Sequence, residues 1–316
     1  MLDVTAWMTR WQMFPPPGGL ILCAVSGGRD SVCLLDCLWR LGQQRDFRVA
    51  AAHLNHGMRP TAQRDEELVR ALCDARNIPL HTERVEVYAL AAAWHLTVEE
   101  TGRRARYDFL RRTAERTGAD FIATAHHRED QAETVLLQLL RGTGMQGLTG
   151  IPPVRDTVIR PLLDTPRAAI DAYIAENALP YVTDETNLDT HYARNRLRID
   201  IMPRLLAINP AAAEHIARTA DILRRENDYL DGEAAALLPP HGAVLPCAAL
   251  LAAPEPLRPR MLRLLTDRLP TGKKDFTAAH YRSLETLCRT GGTLSLPGSV
   301  LAVCRSGTLS LTVPAS

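Results

Sequence analysis

The sequence predicts an α/β protein: a doubly wound, mainly parallel sheet followed by a smaller, mainly helical domain with a short β-hairpin. Three observations lead to this prediction. Short apolar runs alternate with amphipathic stretches through the first half of the chain, an order typical of parallel sheets with helices on both faces. The chain from Pro210 onward is rich in Ala and Leu. It ends in two short strand-like runs near Gly298 and Gly307.

The elements of the first half follow from the spacing of apolar residues and from the turn residues between them. Leu20–Val25 has the length and composition of a buried strand, and the stretch after it is helix-like. Because ligands bind at the carboxyl ends of parallel strands, the polar clusters that follow three of these strands indicate a site. The expected elements are strand Leu20–Val25, helix Ser31–Leu41, strand Arg48–Leu54, helix Thr61–Asn77, strand Leu80–Val87, helix Thr97–Thr117, strand Asp120–Ala125 and helix Glu129–Leu140.

The second half is less regular after Gly142. We predict two domains, residues 1–209 and 210–316, joined near Asn209-Pro210, since 316 residues exceed the usual size of one domain. The expected elements are helices Pro166–Asn177 and Tyr192–Leu206 and strand-like runs Thr293–Leu296 and Leu309–Val313.

Composition restricts the class of protein. Met1–Thr5 lacks the basic start of a signal peptide and no apolar run approaches about 18 residues, so we expect a cytoplasmic protein with no membrane partner. Seven cysteines without a CxxC pair argue against disulfides and thiolate metal sites. Because the net charge is only +1, only local clusters of arginine bear on nucleic-acid binding.

The segment after the first expected strand reads Ser-Gly-Gly-Arg-Asp-Ser, from Ser26 to Ser31. Gly27 and Gly28 allow backbone N–H groups to curl around an anion, and the following helix directs its positive end at the same place. Asp30 would repel phosphates unless a divalent cation lay between them, so the motif indicates a nucleotide bound with Mg²⁺. The alternative is an ordinary strand-to-helix turn.

Polar clusters also close two other expected strands. His53 and Asn55, in the run His53–Arg59, are expected to contact the nucleotide; a metal site at the HxxH spacing is less favoured because a strand turns such residues to opposite faces. In the other cluster, Asp130 and Glu133 lie three residues apart on one face of a helix start. This carboxylate pair could hold Mg²⁺ or an ammonium group, or could merely favour the helix N-terminus.

Two expected helices carry many arginines. Such a run usually marks a solvated helix face, but both helices flank the expected nucleotide site, which makes a polyanionic partner plausible. The glycine loop after Arg141 matches GxGxxG but follows a helix, so we expect a loop near the site or a helix cap, not a dinucleotide site. The arginines are Arg103, Arg104, Arg106, Arg111, Arg112 and Arg116 on one helix and Arg194, Arg196, Arg198 and Arg204 on the other.

The motif at Ser26–Ser31 resembles the PP-loop, SGGxDS, of N-type ATP pyrophosphatases. With four further blocks in the same order, the first 210 residues are similar to tRNA(Ile)-lysidine synthases; the end at Ser316 resembles the short form of that family, without a longer C-terminal domain. The four blocks are HLNHGMR at His53–Arg59, ARYDFL at Ala105–Leu110, TAHHREDQAETVLLQLLRGTG at Thr124–Gly144 and DETNLDTHYARNRLRIDIMPRL at Asp184–Leu205.

The resemblance implies a PP-loop ATPase fold, of the adenine nucleotide alpha hydrolase type, and a reaction. ATP would adenylate the C2 oxygen of the wobble cytidine in tRNA(Ile) with a CAU anticodon, and L-lysine would then displace AMP to form lysidine. The domain after residue 209 would bind tRNA. Carried over by position, Ser26–Ser31 with His53 and Asn55 would bind ATP, Asp30 would help place Mg²⁺, Asp130 and Glu133 would contact lysine or metal, and Arg106, Arg194 and Arg196 would neutralise phosphate or tRNA.

Two other readings stay open at this stage. A PP-loop tRNA thiolase would share the phosphate loop, although the lack of any CxxC pair counts against it. A module that binds ATP and RNA without turnover would also use the loop and the arginines. The sequence decides neither between a monomer and a homodimer nor how tRNA(Ile) is distinguished from tRNA(Met).

Overall fold

The computed structural model describes residues 2–57, 62–183, 193–270 and 275–313. The chain separates into two compact units, Met1–Asp221 and Ile222–Ser316, and the division falls inside helix α11 (Ala212–Ala236). The domain boundary proposed from the sequence, Asn209-Pro210, lies just before this helix begins. Within the described ranges, no helix combines the length and the apolar character needed to cross a membrane.

The first unit alternates strands and helices, as the sequence predicts. Its elements up to α11 are α1 (Thr5–Arg10), β1 (Leu20–Ala24), α2 (Arg29–Arg45), β2 (Arg48–Asn55), α3 (Ala62–Asp74), β3 (Leu80–Arg84), α4 (Val87–Trp94), α5 (Val98–Thr117), β4 (Phe121–Ala123), α6 (Arg128–Leu140), α7 (Met145–Leu148), β5 (Val154–Arg155), β6 (Val158–Ile159), α8 (Arg167–Glu176), α9 (Ala193–Arg196), a π-helical turn (Leu197–Ile201) and α10 (Met202–Ile208).

These strands form a six-stranded sheet in the order β3-β2-β1-β4-β6-β5. The first five are parallel, and β5 pairs with β6 in the antiparallel sense. Strands β2 and β3 lie on one side of β1, and the later strands β4, β6 and β5 lie on its other side. This reversal of strand order opens a crevice at the carboxyl end of β1.

Apolar side chains on both faces of the sheet explain why the strands read as continuous apolar runs. Along β1, Ile21 and Cys23 pack into a core with α2, α3 and α8. Leu20 and Leu22, which alternate with them, pack on the opposite face against α5. Helix α5 begins at a capping box, in which Glu100 N donates to Thr97 Oγ1 and Thr97 N donates to Glu100 Oε2, both at 3.2 Å.

The second unit contains the rest of α11 and a four-stranded antiparallel sheet in the order β7-β10-β9-β8. Its core consists of Leu, Met, Val and Cys side chains from the helices and the inner face of the sheet. Its elements after α11 are β7 (Val244–Pro246), α12 (Cys247–Ala252), a 3₁₀ turn (Glu255–Leu257), α13 (Arg258–Thr266), α14 (Ala278–Thr290), β8 (Gly292–Leu296), a second 3₁₀ turn (Pro297–Ser299), β9 (Val300–Arg305) and β10 (Thr308–Thr312).

The predicted fold class is confirmed, and the differences are local. The short hairpin expected near the end of the chain is present, since β9 and β10 pair in the antiparallel sense on either side of Gly307, but strand β9 itself was not expected. Helix α4 was also missed, because its Ala-rich sequence follows directly on the strand that was drawn too long, to Val87. The expected helix Tyr192–Leu206 is broken by the π-helical turn, and Tyr192 lies outside the described residues.

Candidate active site

A cleft of about 530 Å³ opens at the carboxyl ends of β1, β2 and β4. Its walls include Ser26 after β1, His53 and Asn55 at the end of β2, and Thr124 after β4. It therefore lies at the crevice that the strand order creates. Six arginines against three aspartates line it, which favours a polyanionic ligand. They are Arg29, Arg103, Arg106, Arg167, Arg194 and Arg198, with Asp30, Asp65 and Asp130.

The loop between β1 and α2 is held by its own serines. Ser26 N donates to Ser31 Oγ at 3.1 Å, and Ser31 Oγ donates to the Gly28 carbonyl at 2.8 Å. Gly27 has a φ of +88°, which favours glycine, and a Cβ there would lie 3.1 Å from Val182 Cγ2, a tight contact. The loop is a compact turn that leads directly into helix α2, the arrangement that binds anions.

Asp30 stands at the first turn of α2, at the base of the cleft. Its Oδ2 lies 3.3 Å from Arg167 Nη1 and 3.8 Å from His127 Nε2. Burial raises the pKa of Asp30 above its usual value, although the charges of His127 and Arg167 act in the opposite direction. Its Oδ1 is buried and has no hydrogen-bond partner within the described part of the chain.

An unpaired, buried carboxylate oxygen beside a glycine loop at a helix start fits a divalent cation, since Mg²⁺ is bound through one or two carboxylates and the phosphates of its nucleotide. Asp30 is therefore the residue that would hold Mg²⁺. Within the described ranges, no cluster of three or more His, Cys, Asp or Glu is arranged to hold a metal by itself. A site completed by nucleotide oxygens is consistent with both observations.

Arg29 lines the cleft. Its guanidinium pairs with Asp171 of α8 and lies 5.3 Å from the centre of the Tyr181 ring. At the end of β2, His53 is 3% exposed and its Nδ1 donates to the Val25 carbonyl at 2.9 Å. Asn55 Oδ1 accepts from Gly57 N at 3.0 Å. Both β2 residues line the cleft, as expected, but each also fixes the local backbone.

Helix α6 carries the carboxylate pair. Asp130 Oδ1 accepts from Arg198 Nη2 at 2.8 Å and from Arg194 Nη2 at 3.1 Å. Glu133 accepts from Arg198 Nε at 2.7 Å and from Arg194 Nε at 3.2 Å. Asp130 lines the cleft, whereas Glu133 is 2% exposed and does not. Two arginines that follow the undescribed segment 184–192 thus neutralise both acids.

The charges around Asp130 determine its ionisation. Burial would raise its pKa, but the positive charges of His127 and Arg194 outweigh burial and lower the pKa to about 2. Its Oδ2 accepts from the backbone N–H of His127 at 3.0 Å, which caps the helix. Asp130 is therefore a carboxylate at neutral pH, and Arg194 and Arg198 balance its charge.

Two neighbouring histidines have opposite environments. Burial lowers the pKa of His126, which lines the cleft, to about 3, so its imidazole is neutral. Burial acts in the same direction on His127, but its hydrogen bond to Glu129 and the charges of Asp130 and Asp30 outweigh it and raise the pKa. Nδ1 of His127 lies 2.9 Å from Glu129 Oε2.

Most of the site residues expected from the sequence come together, and some do not. Gly27 and Arg196 do not line the cleft, and Arg196 is exposed. Arg106 lines the cleft and donates to His56 Nε2 at 3.3 Å. Met58, Arg59 and residues 184–192 lie outside the described residues. The glycine loop after α6 does not line the cleft; Gly142, with a φ of +71°, ends the helix.

Two residues of the cleft had no signal of their own in the sequence. Arg167, the first residue of α8, reaches Asp30 from 137 positions away in the chain. Arg198 appeared only as one of several arginines of a helix, and its contacts with both acids depend on the docking of α6 against the π-helical turn. Arg194 and Arg198 are four residues apart, so a helical pattern in the sequence could have placed both on one helix face.

Comparison with known proteins gives a consistent result. Residues 10–205 match the protein family described as PP-loop domain. A tRNA(Ile)-lysidine synthase of Thermus thermophilus is 40% identical over 99% of this chain and 60% of its own length. That of Petrotoga mobilis is 37% identical over 67% of this chain and 76% of its own length. That of Thermotoga sp. (strain RQ2) is 41% identical over 68% of this chain.

The chain spans 52% of the Thermotoga relative's length. Among solved structures, a U34-tRNA thiolase from Methanococcus maripaludis with a [4Fe-4S] cluster superposes with a TM-score of 0.58 at 17% identity, covering 69% of this chain and 77% of that one. At this identity the likeness extends to the fold alone. The seven cysteines of the present chain are all buried and unpaired.

Proposed function

Since the chain belongs to the tRNA(Ile)-lysidine synthase family, we propose that it ligates L-lysine to C2 of the wobble cytidine of tRNA(Ile) with a CAU anticodon, with cleavage of ATP to AMP and pyrophosphate. One observation carries the proposal. The loop Ser26–Ser31 and the carboxylate Asp130 open onto the same cleft of about 530 Å³. A phosphate site and a cation site on one cleft are what a ligation of an amine through an adenylate requires.

In the first step, the C2 oxygen of the cytidine attacks the α-phosphorus of ATP. The new O–P bond forms as the bond to pyrophosphate breaks, so the RNA carries AMP and pyrophosphate departs. The N–H groups and hydroxyls of Ser26–Ser31 would bind the phosphates. Arg29 and Arg106, which line the cleft, would offset the negative charge. Mg²⁺ at Asp30 would further neutralise the leaving pyrophosphate.

In the second step, a lysine amine attacks C2, a C–N bond forms, and the C–O bond to AMP breaks. Asp130 would hold the lysine, because it is ionised and faces the cleft. Glu133 would act indirectly, because it holds the guanidinium groups of Arg194 and Arg198 in place. The attacking nitrogen must be neutral, and the proton it loses leaves with water or with a base of the cleft.

The tRNA itself would be bound through its phosphates. Arg103 lines the cleft together with Arg106, both from helix α5. Others on this helix are paired with acids instead: Arg112 contacts Glu83 at 2.8 Å. The cleft-facing end of α5 is therefore the part of the helix that we assign to RNA, and the domain that follows residue 209 would also bind tRNA.

The two-step scheme can be tested by withholding lysine. With ATP labelled at the α-phosphate, wild-type protein and the tRNA(Ile) transcript, label should accumulate on the RNA and leave as AMP when lysine is added. Asp130→Asn should still label the RNA but release little AMP with lysine. Asp108→Asn on α5 removes an exposed carboxylate that pairs with Arg111 outside the cleft, and should behave as wild type. RNA that never acquires label would refute the proposal.

A further inference from the structure

The two oxygens of Asp30 have different surroundings. Oδ2 contacts a guanidinium nitrogen of Arg167 at 3.3 Å. Oδ1 is buried and unpaired within the described part of the chain. A buried acceptor without a partner is unfavourable, and more so when it is charged. The free molecule therefore holds one oxygen of this carboxylate in place and leaves the other ready for a ligand.

Arg167 is itself fixed from several sides. Its Nη1 lies between Asp30 Oδ2 and His127 Nε2, at 3.3 and 3.2 Å. Its Nε lies 3.6 Å from Asp171 Oδ1, one turn further along α8. Its backbone N–H donates to Glu129 Oε2 at 2.9 Å, the same oxygen that contacts His127 Nδ1. These contacts fix the position of the Arg167 guanidinium, so it can hold the Asp30 carboxylate in one orientation.

We propose that Arg167 is a positioning residue for Asp30: by holding Oδ2, it turns Oδ1 towards the divalent cation that binds with the phosphates of the nucleotide. This inference rests on the proposed function only in that ATP occupies the cleft. An aspartate has two equivalent oxygens and free rotation about its last bond. Without a fixed partner, the carboxylate would divide its population among several orientations, and a cation that needs one of them would bind less well.

A purely structural role is the competing explanation, because Arg167 also connects the start of α8 to Asp30, His127 and Glu129. That role would lower stability and affect nucleotide binding with or without metal. The positioning role affects binding mainly through the metal. The two are separated by measuring how the affinity for a non-hydrolysable ATP analogue depends on Mg²⁺ concentration, by calorimetry on the full chain.

Arg167→Gln should raise the Mg²⁺ concentration for half-maximal analogue binding about tenfold, which corresponds to about 1.4 kcal/mol, with little change in the affinity measured without metal. Arg167→Lys should restore part of the loss, since a lysine can contact Asp30 but cannot bridge it to His127. The matched control is Arg10→Gln, which removes an arginine that pairs with Asp221 and does not line the cleft, and it should leave the Mg²⁺ requirement unchanged. Thermal unfolding checks that each variant is folded.

A double-mutant cycle decides whether Arg167 acts through Asp30. In an Asp30→Asn background, Arg167→Gln should have no further effect on the Mg²⁺ requirement, because the neutral amide no longer offers the charged carboxylate that Arg167 positions. Additive effects, or an unchanged requirement in Arg167→Gln, would overturn the proposal. If Arg167→Gln does not fold, Arg167→Lys carries the same test with a smaller expected rise. A wild type with Mg²⁺-dependent binding but no lysine transfer would sink the proposed function and leave this inference standing.

Discussion

Arg198 and Glu133 form a two-point ion pair, with Nε 2.7 Å from Oε1 and Nη2 2.9 Å from Oε2. The Glu133 side chain is 2% exposed and that of Arg198 34%. The pair therefore joins a fully buried acid of α6 to a guanidinium that also borders the cleft. It links the packing of the segment after residue 192 to the carboxylate that would hold lysine.

Replacing Arg198 should test this link through stability. Removing one partner of a buried ion pair costs about 3–5 kcal/mol. Because Arg198 is partly exposed and Arg194 still contacts Glu133, we expect Arg198→Met to lower the free energy of unfolding by about 1–3 kcal/mol in urea titrations. Arg204→Met, an exposed site on α10, should change it by about 0.5 kcal/mol or less. Equal losses in the two variants would contradict the account.

The glycine at position 27 should be required for nucleotide binding. Gly27→Ala combines a left-handed φ of +88° with a contact of 3.1 Å to Val182 Cγ2, so it strains the backbone of the loop and crowds Val182. We expect affinity for the ATP analogue to fall at least about tenfold, equivalent to about 1.4 kcal/mol. Gly118→Ala, at the end of α5, has a φ of +67° but no atom within 4 Å. It should lose stability by about 1 kcal/mol and bind the analogue normally; an equal loss of affinity there would point to backbone strain alone.

The two histidines of the site should titrate differently. Burial holds the pKa of His126 at about 3, below the 6.5 of an ordinary histidine, so the unfolded chain binds its proton first. The stabilising contribution of the neutral imidazole is present above about pH 6.5 and is lost as pH falls towards 3. NMR of the folded protein should show His126 unprotonated between about pH 5 and 8, while His127 titrates above its ordinary value because of Glu129 and Asp130. A normal titration of His126 would contradict its environment in the cleft.

The sequence predicted the elements whose signals are local. The run Ser26–Ser31 after an apolar strand predicted a glycine turn that opens a helix, which the structure has, and the spacing of Asp130 and Glu133 predicted two acids on one helix. Long-range partners could not be found this way: Arg167 and Arg198 reach their acids across 137 and 65 positions. Strand β9 was missed because its alternation of buried and half-buried residues over Val300–Arg305 is short and adjoins two turns.

The central claim is that this cleft joins lysine to the wobble cytidine. Its most direct test is the transfer of labelled lysine to unmodified transcripts of tRNA(Ile) with a CAU anticodon, with ATP and Mg²⁺. Transcripts of tRNA(Met), which share that anticodon, and the Asp130→Asn variant are the controls. We expect label on tRNA(Ile) alone with wild-type protein and a strong loss with Asp130→Asn. ATP cleavage with no lysine on the RNA, or equal transfer by Asp130→Asn, would contradict the account.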